Sequence, residues 1–368
     1  MNTHCEIKEL TEDQFAEYGE KWLNCLNASD ADPIFSSWAW CFSWWETWSQ
    51  AYSLTPLILV IYSNDNLIGI APLYLKKVER KFGPTGEQIQ FIGNSWRISP
   101  SVRSEYTNFI IKKGHEEQVE RSLSKYLDSL NWVDLVTCDH QPKLNTYLNQ
   151  LGVMLAIRDK DKGISLPVTT SFESWVNSLG KNTRLKAFNR RNYLKDRLTL
   201  EEIPFNDVPR RAEFFNALSK LRFNRWEEKP SEAELNFHNR LAEIAENHIH
   251  PIYSILKIDD EIVSVVYDII AGDRRYNLQS AYIGNFDKKV SLGLLHLGFT
   301  IQDAFEDPNI HTYDFLVGSG KNSFYKERFM GFIGQEYELL TSQVSKTNLH
   351  KMYLKAHMLA KSITNKFR

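Results

Sequence analysis

The stretch Tyr313-Asp-Phe-Leu-Val-Gly-Ser-Gly-Lys-Asn-Ser-Phe-Tyr-Lys-Glu-Arg-Phe-Met-Gly331 reads as a strand, a glycine-loosened turn and a short basic-aromatic helix. Within it, Gly318-Ser-Gly320-Lys321 has the outline of a phosphate-binding loop. Such a loop needs Gly, four residues, then Gly-Lys-Ser/Thr. Here the first glycine would fall at Phe315, and Asn322 follows Lys321 where a hydroxyl is required. The segment is therefore a flexible turn closing a strand that runs through Tyr313, Phe315 and Leu316.

Working outward, the same kind of apolar strand recurs in pairs. Leu59 to Pro72 and Ser254 to Tyr267 share one plan: an apolar strand, a polar turn (Asn64-Asp65-Asn66, Asp259-Asp260-Glu261) and a second apolar strand. Both read as β-hairpins, and two copies half a chain apart predict a duplicated α/β domain. A chain of 368 residues is long for one compact domain and suits two. The reading is a first domain over 1–160, a second over 161–345 and a basic amphipathic helix over 346–368. The first boundary falls at the charged run Asp159-Lys-Asp-Lys-Gly163. Within the first domain, Trp38, Cys41, Trp45 and Trp48 fall at helical spacing, which predicts core rather than a stacking platform. A strand is expected over 105–111, a helix over 116–130 and a strand over 132–137. In the second, Thr170 or Ser171 caps a helix, a basic helix follows, and further helices cover 210–225, 231–248 and 291–305.

The net charge of −2 gives no global pull toward nucleic acid, so any basic patch must be local. The N-terminus lacks the apolar core of a signal segment, and no apolar run approaches a membrane span. Cys5, Cys25, Cys41 and Cys138 are scattered without paired spacing, which fits reduced thiols in the cytoplasm. Cys138-Asp139-His140 and His248-Ile-His250 lack a second ligand cluster and read as ordinary element ends, so no metal is expected.

A Tyr-Asp-Phe-Leu-x-Gly strand followed by Tyr-Lys and then Phe-x-Gly resembles the C-terminal signature of the FemAB/CelD-type acyltransferases, a branch of the GNAT superfamily. The matching residues are Asp314, Gly318, Tyr325, Lys326, Phe329 and Gly331. Ser291-Leu-Gly293-Leu-Leu resembles the family's helix start, Phe35 through Trp48 its tryptophan-rich helix, and Gly69-Ile-Ala-Pro72-Leu-Tyr-Leu75 its Gly-x-x-Pro-Leu-Tyr strand. The resemblance covers residues from about 30 to 340. It implies tandem GNAT-like α/β domains with mixed sheets. It implies transfer of an acyl group, acetyl in the simplest case, from acyl-CoA to an amine on a sugar or cell-envelope precursor.

The resemblance also distributes roles. Donor pyrophosphate would sit at Ser291, Leu292 and Gly293 with Lys288 beside them, because the first N–H groups of a helix lack partners and its dipole favours anions. The full Gln/Arg-x-x-Gly-x-Gly/Ala loop of standard GNAT enzymes is absent. Tyr325 is the candidate acid for the leaving thiolate, and Asp314 a base or a post for the Gly318 turn. Lys326, with Arg184 and Arg191 from a run of seven cations and one anion between Lys181 and Arg197, would hold anionic parts of a substrate. A solvated helix face is the plain reading of that run. An aminoacyl transferase using charged tRNA stays open, although the helix over 231–248 is short for the tRNA-binding arm and overall charge gives tRNA no support. A catalytically silent assembly member of the same fold stays open too. For the tail helix, packing on the protein is preferred and peripheral membrane contact is the alternative.

Overall fold

The computed structural model describes residues 5–78, 85–95, 98–139, 154–245, 248–318 and 324–346, together with residues 352 and 356. The expected Gly318–Lys321 turn beyond its first residue, His140, and nearly all of the 346–368 helix lie outside them. The chain divides into two compact units: Met1–Lys160 with Leu339–Arg368, and Asp161–Glu338.

The first unit is built on β1 (Cys5–Leu10), β2 (Thr55–Ser63), β3 (Asn66–Val78) and β4 (Gly86–Phe91), an antiparallel meander. The short β5 (Ile110–Ile111) pairs with β3. Helices α1 (Glu12–Ala16), α2 (Gly19–Asn27) and α3 (Trp38–Trp48) lie between β1 and β2 in the chain, and α4 (Glu116–Ser129) precedes β6 (Asp134–Asp139). β6 pairs parallel with β4 and antiparallel with residues 340–345, the far end of the chain's last strand. Leu59, Ile61, Leu73, Ile89 and Leu135 pack against Val119, Leu123 and Leu127 of α4.

The tryptophan helix is core, as its spacing predicts. Trp40, Trp44, Trp45 and Trp48 are buried. Trp40 Nε1 donates to Ser104 Oγ at 2.7 Å and Trp44 Nε1 to the Val102 carbonyl at 3.0 Å, so neither indole N–H is left buried without an acceptor. The strand expected over 105–111 shrinks to Ile110–Ile111, and just before it Ser104 serves the Trp40 indole with its hydroxyl and the Gly93 carbonyl with its backbone N–H. Burial pushes the Cys25 thiol up to about 12, and that of Cys41 well above the usual range; both are inert apolar fillers.

The second unit repeats this plan. β7 (Met154–Pro167) supplies its part from Asp161 onward. Then come α5 (Phe172–Ser178), α6 (Lys181–Arg184), a π-turn (Leu185–Asn189) and α7 (Arg190–Leu194). β8 (Leu198–Ile203), α8 (Val208–Trp226), α9 (Glu232–Ile244), β9 (Ile249–Ile258), β10 (Glu261–Ala271) and β11 (Arg274–Tyr282) follow. The unit closes with α10 (Leu292–Glu306), β12 (Thr312–Gly318) and α11 (Phe324–Glu327), before β13 (Gln335–Ser345). β8 to β11 form an antiparallel meander, β12 pairs parallel with β11 after α10, and residues 162–167 of β7 pair antiparallel with β12. Element for element this matches β1 to β4, α4, β6 and 340–345. The two hairpins are equivalent, the second and third strands of each meander. Their turns share a backbone: Asn64 and Asp65, like Asp259 and Asp260, all have positive φ, the geometry that fits a right-twisted two-residue hairpin.

The division of the chain falls at the charged run Asp159–Gly163, which lies inside β7: Gly163 pairs with Val317, and a Cβ there would lie 2.1 Å from the Tyr337 ring, so glycine is what lets that ring lie against the strand. The basic helix runs without interruption through α6, the π-turn and α7, and α10 packs closely on it: a Cβ on Gly298 would meet the Ala187 carbonyl at 2.5 Å. Among the described residues no helix is long and apolar enough to cross a membrane.

Candidate active site

The site begins where β11 and β12 part. Their parallel pairing covers Arg274–Tyr276 against Thr312–Asp314 and stops, while β11 runs on to Tyr282 and β12 to Gly318. On β12 the register against β7 shifts between Asp314 and Val317, and Leu316 takes a φ of 57°. A branched residue rarely accepts that conformation, so neighbours must hold it. Asp314 Oδ1 accepts the Leu316 N–H at 2.8 Å and the Tyr337 hydroxyl at 2.9 Å, and Arg274 Nη1 reaches Oδ2 at 3.3 Å. From α11, buried Lys326 donates to the carbonyls of Phe315 at 2.8 Å and Leu316 at 2.9 Å. Asp314 and Lys326 thus shape one kink from opposite ends.

On β11 the register against β10 also shifts. Asn277 faces Asp268 and Gln279 faces Tyr267, so Leu278 is the extra residue. Such a bulge re-aims every side chain beyond it. Before it, Arg275 and Asn277 point at buried Asp268: Arg275 Nε donates at 2.7 Å and Asn277 Nδ2 at 2.8 Å. The Tyr313 hydroxyl also donates to Asp268, at 3.3 Å, and shares a hydrogen with Thr300 Oγ1. Beyond the bulge, Gln279 turns to the α9 side and Tyr282 to the α10 side, where a Cβ on Gly293 would lie 2.5 Å from the Tyr282 ring.

Around Tyr282 lies a cavity of about 760 Å³ lined by Lys186, Asn224, Arg225, Tyr282, Ser291 and Leu292 among others. It opens at the N-terminus of α10. Ser291 is the N-cap residue, yet its side chain makes no capping hydrogen bond. The first amides of the helix therefore have no intrahelical partner and no side-chain cap, which leaves them free for an anion. The Arg225 guanidinium lies 3.9 Å from the Tyr282 ring centroid, which fixes a cation over the cavity.

Of the residues singled out from sequence, Ser291 and Leu292 line this cavity, and Gly293 lies beneath its tyrosine wall. Lys288 is exposed in the loop before it. Tyr325 packs against the core under β12; burial first, then Tyr282 and Asp268 nearby, push its phenol well above the usual range. Arg184 donates to the Asn177 carbonyl at 2.6 Å. Arg191 lies 3.6 Å from the Phe299 ring centroid and bonds Gln302, against the flank of α10, and burial lowers its guanidinium to about 10. Sequence reading missed Arg225, Tyr282, Asp268 and Gln279; a residue flanked by apolar neighbours carries no local mark of a partner 40 to 60 positions away. Among the described residues no group of three or more His, Cys, Asp or Glu could hold a metal ion.

A β-strand pair that parts beside an open helix N-terminus is what a thioester needs: strand edges for its arm and helix amides for its phosphates. Residues 186–327 match the model of the acetyltransferase (GNAT) domain. These residues form a GNAT acyltransferase domain. The chain is similar in fold to FemX, with 12% identity over 95% of this chain and 99% of that one at a TM-score of 0.60. It is similar also to L-PGS from Bacillus licheniformis, with 12% identity over 89% and 92% at 0.53. A third likeness is to the C-terminal domain of a putative lysylphosphatidylglycerol synthetase from Agrobacterium fabrum, with 8% identity over 95% and 98% at 0.51. At these identities the likeness is one of fold. No curated protein matches the chain in sequence.

Proposed function

We propose that this GNAT protein acts in the cytoplasm and transfers an acyl group, acetyl in the simplest case, from acyl-CoA to an amine on a sugar or cell-envelope precursor. The observation that carries the donor is the 760 Å³ cavity at the uncapped N-terminus of α10, with Lys186 and Arg225 on its wall. Amides of Leu292 and Gly293 would meet the pyrophosphate, and the two cations, with Lys288 at the loop, would balance its charge. The thioester arm would follow the free edge of β11 toward the Leu278 bulge. Tyr325, kept protonated by its burial, is the acid for the departing thiolate. Asp314 and Lys326 act by holding the kink of β12, and Arg184 and Arg191 by setting the α6–α7 segment that carries Lys186.

Calorimetry with acetyl-CoA tests this. Binding that weakens about tenfold or more in Lys186→Ala and Arg225→Ala supports the donor site; no binding at all refutes it. One observation favours a second donor. Exposed rings near the cavity carry cations: Trp226 with Arg225 at 4.7 Å, Phe223 with Lys229 at 4.7 Å, Tyr193 with Lys289 at 5.5 Å. Such pairs suit the stacked bases of a single-stranded RNA end. The folds it resembles include FemX and L-PGS, so the same cavity could take the aminoacyl end of a charged tRNA. Aminoacyl-tRNA binding in place of acetyl-CoA binding would establish that reading. Failure of both donors would favour a silent assembly role.

A further inference from the structure

We propose that Glu234 anchors the acceptor's amine, and that Arg222 beside it reads an oxygen on the adjacent carbon, so that the site takes a vicinal amino-oxygen group such as a 2-amino sugar. The inference rests on the acyl-transfer reading and names the acceptor side of that same site.

Leu278 turns Gln279 away from α10 and toward α9, at the stretch of β11 that has left β12. An acceptor that attacks a thioester lying along this edge has to meet it from the side not filled by core. On the α10 side stand the buried Tyr313, Phe315 and Leu297. On the α9 side stand polar, part-exposed groups. Gln279 Nε2 donates to Glu234 Oε1 at 2.8 Å and approaches His238 Nε2 at 3.4 Å, while its Oε1 accepts from Arg222 Nη1 at 3.4 Å. Arg222 Nη1 also donates to Glu234 Oε1 at 3.2 Å. His238 is buried, and burial with Arg222 nearby lowers its ring to about 3, so it is the neutral acceptor the Gln279 amide needs. Every atom of the Gln279 amide is thereby assigned, and it locks both charged side chains.

Both bonds to the carboxylate fall on Glu234 Oε1; among the described residues Oε2 receives none. Both bonds from the guanidinium leave through Arg222 Nη1; among the described residues Nε and Nη2 make none. The two side chains are 21% and 23% exposed, held yet reachable. A fixed carboxylate oxygen beside a fixed N–H donor complements an ammonium with a neighbouring hydroxyl or ether oxygen. Position agrees: Gln279 precedes Tyr282 of the donor cavity by three residues, about 10 Å along a strand.

The test uses the full chain with and without CoA, and D-glucosamine as probe with N-acetylglucosamine as the control that lacks the amine. Saturation-transfer NMR should detect glucosamine binding, at least tenfold weaker binding of N-acetylglucosamine, and at least tenfold weaker glucosamine binding in Glu234→Gln. Glu234→Asp, which keeps the charge on a shorter stem, should fall between. CoA affinity and melting temperature should be unchanged in both variants. Equal binding of the two sugars, unaltered binding in Glu234→Gln, or no glucosamine binding by the wild type overturns the proposal. If CoA fails to bind while glucosamine binds through Glu234, the donor reading fails and the amine site stands.

Discussion

The Lys326 ammonium donates to the Phe315 carbonyl at 2.8 Å, tying the helix after β12 back to the strand's own kink. Its second bond, to Leu316, falls on the residue with the positive φ. A cation holding two buried carbonyls is a local strut. Lys326→Ala leaves both without that donor and should cost roughly 2–4 kcal/mol of stability, since breaking a charged hydrogen bond leaves buried groups unsatisfied. Denaturant titration measures this. If Lys326 instead holds only substrate, stability will be unchanged and the acceptor KM will rise.

Gly293, in the first turn of α10, and Gly284, in the loop before it, offer a matched pair. A Cβ on Gly293 would stand 2.5 Å from the Tyr282 ring, whereas one on Gly284 would meet nothing within 4 Å. Gly293→Ala must push Tyr282, and with it Arg225, out of the cavity wall. Donor affinity should fall about tenfold or more, with about 1–3 kcal/mol of overpacking. Gly284→Ala should leave both nearly untouched. Equal donor affinities in calorimetry would mean that the wall does not touch the donor.

Legibility followed the range of the interactions. The hairpins were readable because Asn64-Asp65 and Asp259-Asp260 accept positive φ on their own account. The tryptophan helix and α10 were readable because their apolar periodicity is local. The strand at Asp159–Gly163 was not, because its charges mimic a linker and its one decisive feature, room for Tyr337, comes from residues nearly 180 positions later. The exchange of final strands, with residues 340–345 completing the first unit, had no local sign either. At the site, Ser291-Leu-Gly was legible as a helix start. Arg225 and Gln279 acquire meaning only through a bulge at Leu278, which nothing in the mixed sequence of that strand announces.

Two buried histidines predict an acid-sensitive fold. His296 sits between Ser254 Oγ and Ser264 Oγ, each at 2.9 Å, and burial lowers its ring to about 3, as for His238. An unfolded histidine titrates near 6.5, so between that pH and about 3 the unfolded chain binds protons that the folded one refuses. The stability they contribute is present above pH 6.5 and is lost as pH falls below it. Each should cost about 2 kcal/mol by pH 5, at about 1.4 kcal/mol per pH unit. Denaturation midpoints at pH 7.5 and 5.0 should diverge accordingly, and His296→Asn should shrink the gap. An unchanged gap would mean that the acid loss comes from other groups.

Tyr325 is the last and most direct test of chemistry. Burial, with Tyr282 and Asp268 adding to it, keeps the phenol protonated through the working pH range, which is the state an acid must start from. Its neighbours are core residues under β12, so Tyr325→Phe preserves the packing and removes one hydroxyl. Donor affinity and stability should therefore be close to wild type, while the chemical step should slow by roughly 100-fold, the usual scale of a general acid. Because the group does not ionise near neutrality, it should add no alkaline fall to the wild-type pH–rate profile; any such fall belongs to another group. The leaving group supplies a second readout. A donor whose thiolate leaves readily needs less protonation, so an activated aryl thioester should recover much of the lost rate in Tyr325→Phe and gain little in the wild type. A variant that keeps full kcat, or that loses rate equally with both donors, would make Tyr325 a packing residue and send the search for the acid elsewhere along the cleft.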